Sequence, residues 1–477
     1  MLIGQNIMTI QLPFLYDYVM PNFILPNATP TEQTIINYMY TQHSNDLRNE
    51  SFFDQHIEKE NSPMKAVFGD SIGEWPNSMG MGGSYLKMPC YKTCVQINEA
   101  SVYFGKKNGI EKYIYPIKVT LHFGKFTGTD HTGGKSSGEY FWKHISAETL
   151  YDLRDRRAIV FLEWANENAV WREQYEDLHR NIALSGIPKE QIILTVNSFN
   201  AKEIYESWFP HEERQLEVHN LPFLLSNISY HYYSNQQTIV SEETFNNSRT
   251  VLRKNHFLYK IRRNKDYRIA LLQKLASDGL LERGDWSCLS KIPLASGLQM
   301  TSQFNLGLNN DAVVELHAKL PHVLQNEPET TFHNTHGWGD KNSNANANAY
   351  LYIASETFIT GEYKSLTEKV FKPLINYQPF VFVAWKGALN ELRKLGFKTF
   401  SPMIDENYDD EPDPIRRLQL VYGEINRICS MDKAQIHAWY WTMEDIYKHN
   451  RVHLMNMFDN EPHTIALIKY LSDRIAQ

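Results

Sequence analysis

RAIVFLEW at Arg157–Trp164, WREQYEDLHRNIALSG at Trp171–Gly186 and QIILTVNS at Gln191–Ser198 decide the fold. The first and third are short apolar runs that read as strands buried on both faces, as in a parallel sheet. The stretch between them is amphipathic at helical spacing and stops at a glycine. Strand, helix, strand within about 40 residues is the signature of an α/β domain. Working outward, ASVYFG and KYIYPIKVTLHFG add strand-like runs before it. A helix over Asn200–Trp208 and the segment LEVHNLPFLL follow it. One α/β domain is thus expected over residues 96–245, preceded by an irregular, Pro-, Asn- and Met-rich extension over residues 1–95.

A polar stretch, SNQQTIVSEETFNNSRT at Ser234–Thr250, separates this domain from a second series. HFLYKI reads as a strand, RRNKDYR as a basic turn, and RIALLQKLASDGL as a helix ending at Gly279. After a less regular middle and a low-complexity loop, KNSNANANAY, come LYIASET, KSLTEKVFKPLINY, QPFVFVAW and GALNELRKLGF, in the order strand, helix, strand, helix. The second domain is set at 246–430, with C-terminal helices over 431–477 expected to pack back on the first domain. No repeat of 20–50 residues is visible.

The 477 residues carry 48 basic and 55 acidic side chains, a net charge of −7, so no overall positive field favours nonspecific binding to nucleic acid. With 42% hydrophobic and 22% charged residues the chain can bury a sizeable core. The uncharged run Ile292–Asn310 is too polar to span a bilayer. The first residues lack the features of a secretion signal, and four cysteines are too few for a disulfide scaffold. Both point to the cytoplasm, of a bacterium or of a host cell if the gene is viral. Cys90 and Cys94 in PCYKTC supply two zinc ligands where about four are needed, and HNTH at His333–His336 lacks a helical i, i+4 pattern, so no metal site is expected.

Two motifs carry chemistry. Phe257–Arg268 places Arg262, Arg263, Lys265 and Arg268 between a strand and a helix, where guanidinium forks and free backbone N–H groups suit phosphate oxygens. In Ser355–Pro373, Glu356 ends a strand, Ser365 and Glu368 have capping-box spacing, and Lys369 and Lys372 fall in the first turns of the next helix. The helix dipole disfavours cations there, so an anionic ligand is the better explanation for the lysines. Asp405–Arg417, DENYDDEPDPIRR, reads instead as a solvated acidic loop.

These stretches resemble the nucleotide-sugar-binding half of GT-B glycosyltransferases, and are most similar to the α1,3-fucosyltransferase-like group with its bacterial and phage relatives. The resemblance rests on Glu356 after a strand, the triplet Thr367-Glu368-Lys369 and the following Pro379-Phe380, and covers about residues 255–425. It implies two Rossmann-like domains facing a cleft. Glu368 would bind the donor ribose, Lys369 the diphosphate, and Arg262 or Arg263 would neutralise the leaving group. Glu356 would line the pocket, and Thr367, Lys372 and Arg268 complete the donor-binding set. The co-substrate would be a GDP- or UDP-sugar, used without a metal because the cations suffice. The sequence departs from the vertebrate enzymes in lacking a signal anchor and a disulfide framework.

An inverting reaction also needs a carboxylate base, for which Glu163 at the end of RAIVFLEW is the first candidate, then Glu167, then Asp130 with His131. The expected acceptor is a surface glycan or lipopolysaccharide. One alternative is a hydroxymethylated base in DNA, flipped into an aromatic pocket, with basic stretches near Lys106 and Arg156 as a track. Another is a non-catalytic glycan- or partner-binding module that keeps the fold. For the extension, covering the cleft, binding the acceptor and dimerisation all stay open.

Overall fold

The computed structural model describes residues 112–118, 147–164, 172–213, 216–220, 239–304, 306–324, 343–360, 363–459 and 462–477. It is an α/β fold with two β-sheets flanked by helices, divided into two compact units at Ser226/Asn227 and again at Phe458/Asp459.

The first unit carries four parallel strands in the order β1-β2-β3-β4: β1 Tyr113–Lys118, β2 Ala158–Trp164, β3 Ile192–Val196 and β4 Glu217–Asn220. Ala158–Leu162 and all of β3 are buried, as continuous apolar strands covered on both faces must be. Helices α1 (Ala147–Arg154), α2 (Arg172–Ser185) and α3 (Ala201–Trp208) make the connections. Gly186, at φ +70°, ends α2 in the left-handed conformation that glycine adopts at no steric cost.

The second unit begins with α4 (Glu242–Asn247), capped by the Ser241 hydroxyl. The polar stretch read as a separator thus holds a short helix. Four parallel strands follow: β5 Asn255–Ile261, β6 Gly284–Cys288, β7 Ala349–Ser355 and β8 Phe380–Val383, in the order β6-β5-β7-β8. Between them run α5 (Asp266–Ser277), α6 (Leu294–Thr301), α7 (Asn310–Ala318), α8 (Ser343–Asn348) and α9 (Glu368–Ile375). Two expectations change here. β6 lies in the stretch read as irregular, and SNANAN of the low-complexity loop forms α8 with β7 starting at once behind it.

The chain leaves β5 toward β6 on one side and returns as β7 on the other. This makes the β5/β7 boundary the switch point of the sheet, where the loops beyond the carboxyl ends diverge and open a crevice. α5 is buried along nearly its whole length, Tyr267 to Gln273 and Leu275. α9 buries Val370, Phe371, Leu374 and Ile375, each worth about 1.5–3 kcal/mol of apolar burial. Both helices therefore hold their N-termini at fixed places beside the switch point.

α10 (Ala388–Lys394), α11 (Pro414–Cys429), α12 (Lys433–Trp441) and α13 (Glu444–Asp459) complete this unit. The segment read as a solvated acidic loop is largely structural. Buried Asp409 accepts from the Leu389 and Asn390 N–H groups at 3.0 and 3.2 Å, capping α10 from 20 residues away. Asp413 caps α11 with Pro414 behind it. Buried Arg417 donates to the Ala384, Ile359 and Glu411 carbonyls. The last helix, α14 (Pro462–Ala476), belongs to the first unit, where Tyr470 donates to Glu217 of β4 and Arg474 to the Glu190 carbonyl.

Candidate functional site

The basic turn and the T-E-K triplet lie at the two loops that flank the switch point. β5 ends at Ile261, so Arg262, Arg263 and Lys265 form the turn into α5. β7 ends at Ser355, and the segment beyond it leads to Thr367, the N-cap of α9, and then to Glu368 and Lys369 in its first turn. Lys265 Nζ lies 5.5 Å from the ring centre of Phe358, which bridges the two loops.

Lys369 is held by oxygens. Its Nζ donates to Thr367 Oγ1 at 2.9 Å, Glu368 Oε1 at 3.0 Å and Thr357 Oγ1 at 3.5 Å, with Glu356 Oε2 at 3.9 Å, and its side chain is 24% exposed. Burial pushes the Glu368 carboxyl upward, but Lys369, Lys372 and hydrogen bonds from Lys369 and its own backbone N–H together pull it down to about 2. Glu368 is therefore ionised at neutral pH, and at 28% exposure it still reaches solvent. Partial burial and the adjacent charge of Arg263 draw the Arg262 guanidinium below its ordinary range, while Glu368 acts in the opposite direction. Glu368 is thus the electrostatic link between the cations of the first loop and those of the second. The cap itself differs from the capping-box expectation: the Thr367 hydroxyl accepts from the Lys369 N–H at 3.4 Å, while Ser365 is buried and its carbonyl accepts from Trp385 Nε1.

Three residues of the expected donor-binding set face inward: Thr367, 2% exposed with its hydroxyl on Glu356, and Arg268 and Glu356. Arg268 is 5% exposed; its Nη2 donates to the carbonyls of Ser355 at 2.9 Å and Glu356 at 2.5 Å, and its Nη1 to the Arg263 carbonyl at 3.3 Å. Glu356 is 1% exposed, and both its carboxylate oxygens accept hydrogen bonds from residues of its own loop. The reason lies in how their elements are covered. Arg268 sits in the first turn of a helix buried along most of its length, and Glu356 follows a strand whose seven residues are all buried. Tyr267, which donates to the Glu356 carbonyl, and Thr357, whose hydroxyl accepts from Lys369, belong to the same cluster. Their place inside the two motifs is the sequence signal for them.

Glu163 is the next-to-last residue of β2, in register with Lys118 of β1 and Thr195 of β3, and its side chain lies outside the described residues. Glu167, Asp130, His131, Cys90, Cys94, His333 and His336 also lie outside them. Cys288 and Cys429 are free and buried, and burial pushes their thiols up to about 11 and about 12. Among the described residues, no group of three or more His, Cys, Asp or Glu is arranged to hold a metal ion, and no helix is long and apolar enough to cross a membrane.

No family model matches the sequence, and comparison with curated proteins finds no match. Among solved structures, the chain is similar to the crystal structure of an alpha,alpha-trehalose-phosphate synthase (UDP-forming) from Burkholderia vietnamiensis. That likeness has 11% identity over 68% of this chain and 70% of that one, with a TM-score of 0.35. An overlap at that score carries no weight for fold or activity, so the site stands on its own residues.

Proposed function

We propose that the chain is a GT-B-type glycosyltransferase that moves a sugar from a nucleotide-sugar donor to an acceptor hydroxyl. The donor diphosphate would sit at the switch point of the second unit. The observation that carries this reading is the meeting of two cation-bearing loops there, with Glu368 acting electrostatically on Arg262, Lys369 and Lys372 alike. A nucleoside diphosphate departs readily only where fixed positive charge meets the charge that grows on it. Arg262, Arg263, Lys369 and Lys372 would supply that charge without a metal. Glu368, ionised and reaching solvent, is suited to accept hydrogen bonds from the donor ribose. Glu163, near the carboxyl end of β2, is the proposed general base that takes the acceptor proton in an inverting displacement. A GDP- or UDP-sugar donor and a glycan acceptor belong to the same proposal.

A thermal-shift panel with GDP, UDP, CDP and ADP, with and without Mg²⁺, tests it on wild type and Lys369→Ala, since a ligand that binds only the native state raises apparent stability. The reading expects a shift with one nucleotide that persists without metal and disappears in the variant. A flat response to all four, confirmed by direct titration, contradicts it and favours a binding module without catalysis.

A further inference from the structure

We propose that Glu356 is a positioning residue of the phosphate-binding apparatus: a buried carboxylate that stays off the ligand and locks the basic turn and the start of α9 into one geometry. The proposal rests on the donor-site reading above and assigns Glu356 a different role from the pocket-lining one the resemblance implies. Three sets of contacts converge on this residue. Its backbone carbonyl accepts from Arg268 Nη2 and Tyr267 OH, and Arg268 also donates to the Arg263 carbonyl, so the first cation loop is tied to it. Its backbone N–H donates to the Val383 carbonyl at 2.9 Å, fixing it to the end of β8. Its carboxylate accepts from the Thr367 N–H at 2.7 Å, the Thr367 hydroxyl at 2.7 and 2.9 Å and the Thr357 N–H at 3.1 Å, drawing the start of α9 onto the end of β7.

The direction of the hydroxyl proton gives this arrangement its consequence. A carboxylate only accepts, so the single proton of the Thr367 hydroxyl must point at Glu356. The hydroxyl lone pairs are then left to face Lys369, whose Nζ donates to them at 2.9 Å and whose backbone N–H donates at 3.4 Å. Glu356 thereby orients Lys369 through Thr367 without reaching solvent. A glutamine at 356 keeps the shape but can donate its amide N–H to the Thr367 oxygen, which reverses the relay and withdraws the acceptor from Lys369.

Calorimetric titration with the nucleoside diphosphate that binds wild type, GDP or UDP, and with the matching unphosphorylated nucleoside, tests this. Glu356→Gln is expected to weaken diphosphate binding by about tenfold or more and to leave nucleoside binding as in wild type. Thr367→Val should reproduce that loss and Thr367→Ser should restore binding, so this pair decides the matter if the glutamine variant does not fold. If Glu356→Gln or Thr367→Val binds diphosphate like wild type while Lys369→Ala does not, the positioning role is overturned and the donor site stands. Equal losses for nucleoside and diphosphate would mean general damage to the unit and also overturn it. If wild type binds no diphosphate, both readings fall.

Discussion

Replacing Lys369 with Met removes a charge wedged between two carboxylates, and the effect on stability should depend on pH in a way that packing alone would not produce. Glu368 is drawn from 4.5 to about 2 although burial pushes it the other way, and Lys369 is the largest contributor to the lowering. A displacement of that size is about 3.4 kcal/mol of preference for the ionised form. Sharing it with Lys372 and the backbone, and discounting for partial exposure, leaves about 1–2 kcal/mol for Lys369. Glu356 is held above its ordinary value by burial, with Lys369 opposing, so the variant raises both carboxyls. A carboxyl with a depressed folded value contributes stability above its unfolded value, and that stability is lost as pH falls through the folded one. The deficit of Lys369→Met should therefore be greatest at pH 7, stay above half of that at pH 3, and fall below half by pH 2, where Glu368 reaches its folded value. Urea unfolding followed by tryptophan fluorescence at pH 7, 3 and 2 measures it. A deficit of the same size at all three values would refute the electrostatic assignment.

Further outcomes follow from the described geometry. Asp409→Ala leaves the Leu389 and Asn390 N–H groups of α10 without their acceptor and should cost about 2 kcal/mol, with Asp409→Asn recovering part of it in urea unfolding. His179, hydrogen-bonded to Tyr205 and packed on Phe209, is lowered from 6.5 to about 4 chiefly by burial, with Glu176 opposing. It stays neutral when folded but takes up a proton when unfolded as pH falls below about 6.5. Its contribution is thus complete above that pH and lost toward pH 4, about 1 kcal/mol between pH 7 and 5 after allowing for its exposure. His179→Gln should flatten this part of the pH profile, and an unchanged profile would exclude the assignment.

The elements that could be read from the chain are those whose residues answer to one dominant force. RAIVFLEW, QIILTVNS, HFLYKI and LYIAS are apolar throughout because parallel strands are covered on both faces, and Gly186 and Gly279 mark helix ends because the left-handed conformation there suits glycine. β6, GDWSC, is not legible as a strand because it is short, mixed in polarity and held by its neighbour β5 more than by its own pattern. Asp409 looked solvated because its partners on α10 are 20 residues away. Within the candidate site, composition and spacing mark Arg262, Arg263, Glu368 and Lys369, and the resemblance adds Thr367; all five lie at the two loops beside the switch point. Spacing gave no indication that Arg268 and Glu356 turn inward, since that depends on how α5 and β7 are covered by the rest of the unit. An arginine inside the apolar run YRIALLQ was the available hint, because such a side chain needs buried acceptors.

The central claim is that the two cation loops serve one anion, and calorimetric titration of GDP and UDP into wild type, Arg262→Ala and Lys369→Ala tests it most directly. Each variant should weaken binding of the same nucleotide by roughly 10- to 100-fold, the range expected for losing one hydrogen bond between charged groups. Loss in one variant with wild-type affinity in the other, or no binding to the wild-type chain, would contradict the claim.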